Sequence, residues 1–167
     1  MSITESQGDF ADLTTSPGRC VALHDARTEV LSVLPHSCRL LGERLMGELD
    51  AFWAASRHVT LQYSWESWRF GLWLEERIAA RQLRGGPVED AIRLELAIFD
   101  VQAAARGNGV SRWRIVLLRY DPDELLDAAI PAEDLQPLAS GATVLVDATG
   151  KQLLVSRIDD RFEGRVA

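Results

Sequence analysis

Histidine is scarce in this chain, and a nucleophile with a partner is missing. Only three histidines, His24, His36 and His58, occur in 167 residues, and no Gly-x-Ser-x-Gly turn is present. Nucleophilic catalysis needs a base and an orienting group beside the attacking atom, so the sequence offers no candidate for acyl transfer. Cysteine is limited to Cys20 and Cys38, too few for a disulfide framework, and the pair reads as reduced thiols of a cytoplasmic protein. Cys20, His24, His36 and Cys38 are the best metal candidates. Their Cys-x3-His and His-x-Cys spacings straddle a helix start and lack the tighter pairing zinc sites favour. "RGGP" and "RGNG" do not follow a strand and open a helix, so they read as stop signals rather than phosphate cradles. Asp159 and Asp160 read as a solvated strand end.

Long apolar runs are also absent. No uncharged stretch approaches the roughly 20 residues of a membrane span, and "MSITESQGDFADLTTSPG" lacks the basic start and apolar block of a secretory signal. Positive charge is in deficit: 18 Lys and Arg face 25 Asp and Glu, for a net charge of −7. A protein that neutralises phosphates needs a net-basic face. The balance therefore weighs against nucleic acid, and against the alternative of a small regulatory or nucleic-acid-associated helical domain.

Apolar residues, by contrast, make up 47% of the chain, enough for a core at this length. Residues 1–17 are polar and read as a disordered tail. Residues 18–109 carry helical patterning, and 161–167 read as a second tail. A helix from Cys20 is expected to end at Leu34, before Pro35. Ser37 is expected to cap a helix running to about Ser56, with Leu41, Leu45, Leu49, Phe52 and Trp53 on one face. Ser64 should cap the next, "YSWESWRFGLWLEE", to about Leu83. Pro87 suits the first turn of a third long helix over Val88–Arg106, with Gly107 or Gly109 for a left-handed stop.

The third helix has two apolar faces, Ala91/Leu94/Ile98/Val101/Ala105 and Ile92/Leu96/Phe99/Ala103, so it should pack on two sides as the central helix. Glu95, Gln102 and Arg106 form a narrow polar stripe between them. A carboxylate there needs a partner, and Arg69, Arg77 or Arg106 is the expected one. The helix of Trp65, Trp68 and Trp73 has a wide apolar arc, partly core and partly available to another protein, where Trp and Arg are enriched.

After residue 109 the pattern changes. "RWRIVLLRY" reads as a strand buried on both faces. "DPDELLDAAI" reads as a short helix with Asp121 as N-cap and Pro122 first. "ATVLVDATGKQLLVSRI" reads as a hairpin turning at Thr149-Gly150. The expected fold class is α+β: a helical bundle followed by a small β-α-β-β sheet domain over residues 110–160.

The order of these segments is similar to a family. "LLGERLMGELDAFW", "YSWESWRFGLWLEERI" and "RLELAIFDVQAA" are followed by "RIVLLRYDPDELLDAAI" and "ATVLVDATGKQLLVSRI". Over residues 36–158 this resembles the small partner subunits of multinuclear non-heme iron oxidative enzymes in peptide natural-product pathways, such as those of methanobactin and 3-thiaglutamate. Leu94, Glu95 and Ala97 match an LExA element. Tyr120, Asp121 and Pro122 stand where the family often carries His-Asp-Pro, so Tyr120 departs from the histidine. The resemblance implies a non-catalytic subunit without a cofactor of its own. The iron is expected in a TIM-barrel partner enzyme, and the subunit forms a heterodimer with it. It binds a precursor peptide and presents its cysteine segment to that iron. Peptide contact by strand addition is expected at Arg112, Arg114, Ile115 and Leu117. Contact with the enzyme is expected at Trp65, Trp68, Arg69, Trp73 and Tyr120.

Overall fold

In a computed structural model, the described residues are 28, 30–56, 63–107, 109, 111–149 and 152–158. The expected features at Cys20, His24, His58, Ser64's cap and Asp159–Asp160 lie outside them, or rest on residues that do. Before the sheet lie the helices α1 (Pro35–Leu41), α2 (Arg44–Ala55), α3 (Tyr63–Ala79) and α4 (Pro87–Ala105). Strand β1 (Trp113–Leu118), the short helix α5 (Pro122–Leu126), β2 (Ala142–Asp147) and β3 (Leu154–Arg157) follow. The class is α+β, with one antiparallel sheet of order β1-β2-β3.

Most helix limits follow their punctuation. Residues 30–33 are helical and Leu34 is not; Pro35 then opens α1 from its first turn, where its missing N–H costs nothing. Pro87 opens α4 in the same way, and Gly107, at φ 89°, follows its end. Asp121 caps α5 by accepting from the Asp123 amide at 2.9 Å.

Two expectations about the first helices are corrected. The helix expected from Ser37 to Ser56 is broken by Gly42 at φ 55°, a conformation a β-carbon would penalise. Ser37 does not cap it: Leu34 occupies the cap position of α1 without a side-chain bond, and Ser37 is fully buried in the first turn.

α4 is the central helix. It touches α1, α3, α5, β1 and β2, and Ala91, Ile92, Leu94, Leu96 and Val101 are buried along it. One apolar cluster joins these to Leu34, Leu49, Phe70 and Leu74 on the helical side and to Val116, Leu118, Val144 and Val146 on the sheet.

The strand β1 is not buried on both faces. Val116 and Leu118 point into the core, but Trp113, Ile115 and Leu117 are 52%, 54% and 69% exposed. Among the described residues, helices cover one side of the sheet, so strand alternation leaves every second side chain outside. The hairpin is present with Asp147 opposite Leu154. Gly150, of the expected turn at Thr149-Gly150, lies outside the described residues.

Asp90 fixes the sheet to α4. It is fully buried, and its Oδ2 accepts the backbone amides of Arg119 and, at 3.0 Å, Tyr120. Arg119 and Arg93 flank Oδ1 at 3.6 and 3.7 Å. Asp90→Ala would leave two part-buried amides without their acceptor, while Arg93 and Arg119 would keep Glu89. We expect a loss of about 3 kcal/mol in urea unfolding, whereas Asp123→Ala, on an exposed residue, should change stability by less than about 0.5 kcal/mol.

Candidate functional site

The phase of the β1–β2 ladder determines which backbone groups of β1 are free. The Ala148 amide donates to the Arg112 carbonyl at 2.8 Å. Register pairs Arg114 with Val146, Val116 with Val144 and Leu118 with Ala142. In an antiparallel ladder hydrogen-bonded pairs alternate, so the main-chain groups of Arg114, Val116 and Leu118 are used on β2. Those of Trp113, Ile115 and Leu117 point away from it. Trp113 is satisfied locally: its amide and carbonyl both meet the Ser111 hydroxyl, at 3.3 and 2.9 Å. Ile115 and Leu117 are left with two N–H donors and two carbonyl acceptors that have no strand partner among the described residues.

That free edge opens into a groove of about 540 Å³ between β1, α3 and α4. The helices align along it. Trp68 Nε1 donates to Asp100 Oδ1 at 3.1 Å, and Asp100 faces Arg114 at 3.8 Å, marking one end. Leu72, Leu96 and Ala97 line the middle; Glu75 and Arg93 line the groove beyond them. The site is therefore a strand edge facing an apolar floor with charged ends.

The expected peptide-binding residues converge here in part. Arg114, Ile115 and Leu117 line the groove. Ile115 and Leu117 contribute their main chain, while their side chains belong to the exposed outer face with Trp113 and, on β3, Leu154. Arg112 is exposed at the start of the strand. Arg114 is already paired with an acid, so it is not a free cation.

The residues expected to meet a partner are dispersed. Trp65, Trp68, Arg69 and Trp73 are all half-buried on α3. Trp65 packs edge-on against Trp68 and Phe99, each at 5.6 Å. Trp73 packs against Phe52 at 6.1 Å with the Arg77 guanidinium over its ring. Tyr120 is half-buried against the core, beyond the end of β1. Trp113 was not among the expected residues, because a strand buried on both faces would have no outer row; it shares the exposed face with Ile115 and Leu117.

A second recess, of about 460 Å³, is lined by the polar stripe Glu95, Gln102 and Arg106 together with His36 and apolar neighbours. Glu95 pairs with none of the expected arginines. It accepts the His36 amide at 2.7 Å, the Ser37 amide at 3.0 Å and the Ser37 hydroxyl. The carboxylate thus closes the start of α1, where backbone N–H groups lack helical acceptors. Cys38 lies in the same helix, and burial followed by the nearby Glu95 charge pushes its thiol up to about 12. That is the opposite of a reactive cysteine. Among the described residues no cluster of three His, Cys, Asp or Glu is placed to hold a metal, and no helix is long and apolar enough to cross a membrane.

Compared with family models, with curated proteins and with solved structures, the chain matches none.

Glu95 also makes stability depend on pH. Burial pushes its carboxyl up to about 7, against the opposing pull of the Ser37 and His36 hydrogen bonds and of Arg39. The folded chain then holds a proton that the unfolded chain releases near 4.5. This contribution is complete below that lower value and is lost as pH rises through about 7. His36 acts in the opposite sense, because burial and then Arg39 lower its value; its contribution grows as pH rises towards its ordinary range. The difference between wild type and Glu95→Gln isolates the carboxyl. Across pH 5 to 8, denaturant titration should show wild type losing on the order of 3 kcal/mol relative to the variant.

Proposed function

We propose that this protein is a non-catalytic partner subunit that binds a ribosomally made precursor peptide and presents its cysteine-containing segment to an iron-dependent oxidative enzyme. The observation that carries the peptide-binding part is the β1 edge. Two consecutive outward pairs of main-chain groups, at Ile115 and Leu117, face a groove whose floor is Leu72, Leu96 and Ala97. An extended segment laid there would form a fourth strand, and its main chain would supply affinity whatever its sequence. Its inward side chains would replace water over the apolar floor. The link to an oxidative enzyme rests on the family resemblance. The exposed row Trp113, Ile115 and Leu117 on β1 supports a protein partner on the outer face, since exposed apolar surface rimmed by polar groups is what such partners cover.

Proline substitutions separate strand addition from other modes. The amide of residue 117 points to the open edge, so Leu117→Pro removes a donor to the peptide without removing one to β2. Binding of nonapeptides selected from a display library should weaken by about tenfold, with only a modest fall in Tm. Val116→Pro removes a bond within the sheet and should unfold the strand. If Leu117→Pro binds such peptides as wild type does, the edge is not the site. Co-expression with an iron-dependent oxidative enzyme and a short cysteine-containing precursor encoded beside it should yield a co-purifying complex; a chain that stays alone in their presence overturns the partner role.

A further inference from the structure

On the peptide-binding reading above, we infer that the groove selects a strand carrying an apolar side chain over Leu72 and Leu96 and, two residues away, a basic side chain against Glu75. Side chains on an added strand alternate. A residue opposite Val116 points, as Val116 does, towards the helices, and so reaches the apolar middle of the groove. Its neighbours two positions away reach the two ends.

The ends differ in charge. At the Arg114 end, Asp100 is engaged by both the Trp68 indole and the arginine, so that end is paired and close to neutral. At the other end Arg93 is shared between Glu89 at 2.5 Å and Asp90 at 3.7 Å, and Arg119 pairs with the same two acids. Glu75 is left over. It has no hydrogen bond or ion pair among the described residues, and it lines both the groove and an adjoining recess with Arg93. Arg93 and Arg119 are engaged by Glu89 and Asp90, and Arg81, which lines the adjoining recess but not the groove, makes no ion pair with Glu75 among the described residues. Burial, more than it is offset by Arg93, raises the Glu75 carboxyl above its ordinary value, and Glu89 adds to the rise. An incoming cation would relieve this desolvated charge. An incoming acid would meet repulsion, which is how such a site rejects the wrong peptide.

The test uses the full-length protein and blocked nonapeptides on an alternating threonine scaffold. Each has leucine at the central inward position and Lys, Gln or Glu at the inward position two residues before or after it. Fluorescence anisotropy should give about fivefold tighter binding for Lys than for Gln, and weaker binding still for Glu, in one of the two placements. Lysine before the leucine reports an antiparallel strand, lysine after it a parallel one. Glu75→Gln should abolish the preference and Glu75→Lys should reverse it towards the Glu peptides. Equal binding of all three in both placements overturns the charge selection and leaves strand addition standing. No binding of any peptide up to about 1 mM overturns both.

Discussion

Two buried carboxylates on one helix hold the molecule together, and both do so through backbone amides. Asp90 and Glu95 lie five residues apart on α4 and are 0% and 4% exposed. Asp90 takes the amides that end β1; Glu95 takes the amides that begin α1. Each satisfies donors that secondary structure leaves over, at a strand end in one case and a helix start in the other. Arg39 extends the second clamp by donating to the carbonyls of Ile130 and Leu125 at 2.6 and 3.0 Å. The helical layer and the sheet are thereby tied to the same helix by directional hydrogen bonds, which apolar packing alone would not specify.

This anchoring also explains why a free strand edge can exist. An open edge invites unwanted pairing, and proteins usually blunt it with charge, proline or a bulge. Here the first part of β1 is protected: Ser111 satisfies the main chain of Trp113, and the inward Arg114 is held by Asp100. The protection stops before Ile115 and Leu117. Val116 and Leu118 are locked into the core between them and beyond, and Asp90 catches the next two amides. The exposed edge is short and bordered by α3, which limits pairing to a segment narrow enough to enter the groove.

Much of this architecture was legible in the sequence. Proline at Pro35 and Pro87, glycine after α4 and the Asp121 cap mark chain positions by local chemistry, and the structure follows them. The two-faced wheel of α4 identified the central helix because packing on two sides requires it. Three features were not legible, for physical reasons. "IVLL", residues 115–118, is apolar throughout, and composition cannot say whether every second side chain is covered by the chain itself or left open. Gly42 is a single glycine in a helical pattern, where the penalty is small enough to be tolerated, so only its φ reveals the break. The partners of Glu95 are amides, which every residue but proline carries, so residue types pointed to an arginine instead. Asp90 carries no distinguishing pattern, since an acid in a first turn suits the helix dipole without any further partner.

The open edge and the exposed apolar row belong to the same residues. In the proposed complex, Ile115 and Leu117 offer main chain to a peptide in the sheet plane and side chains to a protein on the outer face. A strand added to β1 would hold those backbones in one conformation and so fix where their side chains stand. Ordering of this kind lowers the cost of the second binding event. By linkage, the peptide must then favour the partner as much as the partner favours the peptide. Under the proposed function, such a subunit would not need to touch the reacting sulfur; it would control delivery by making enzyme affinity depend on whether the edge is occupied.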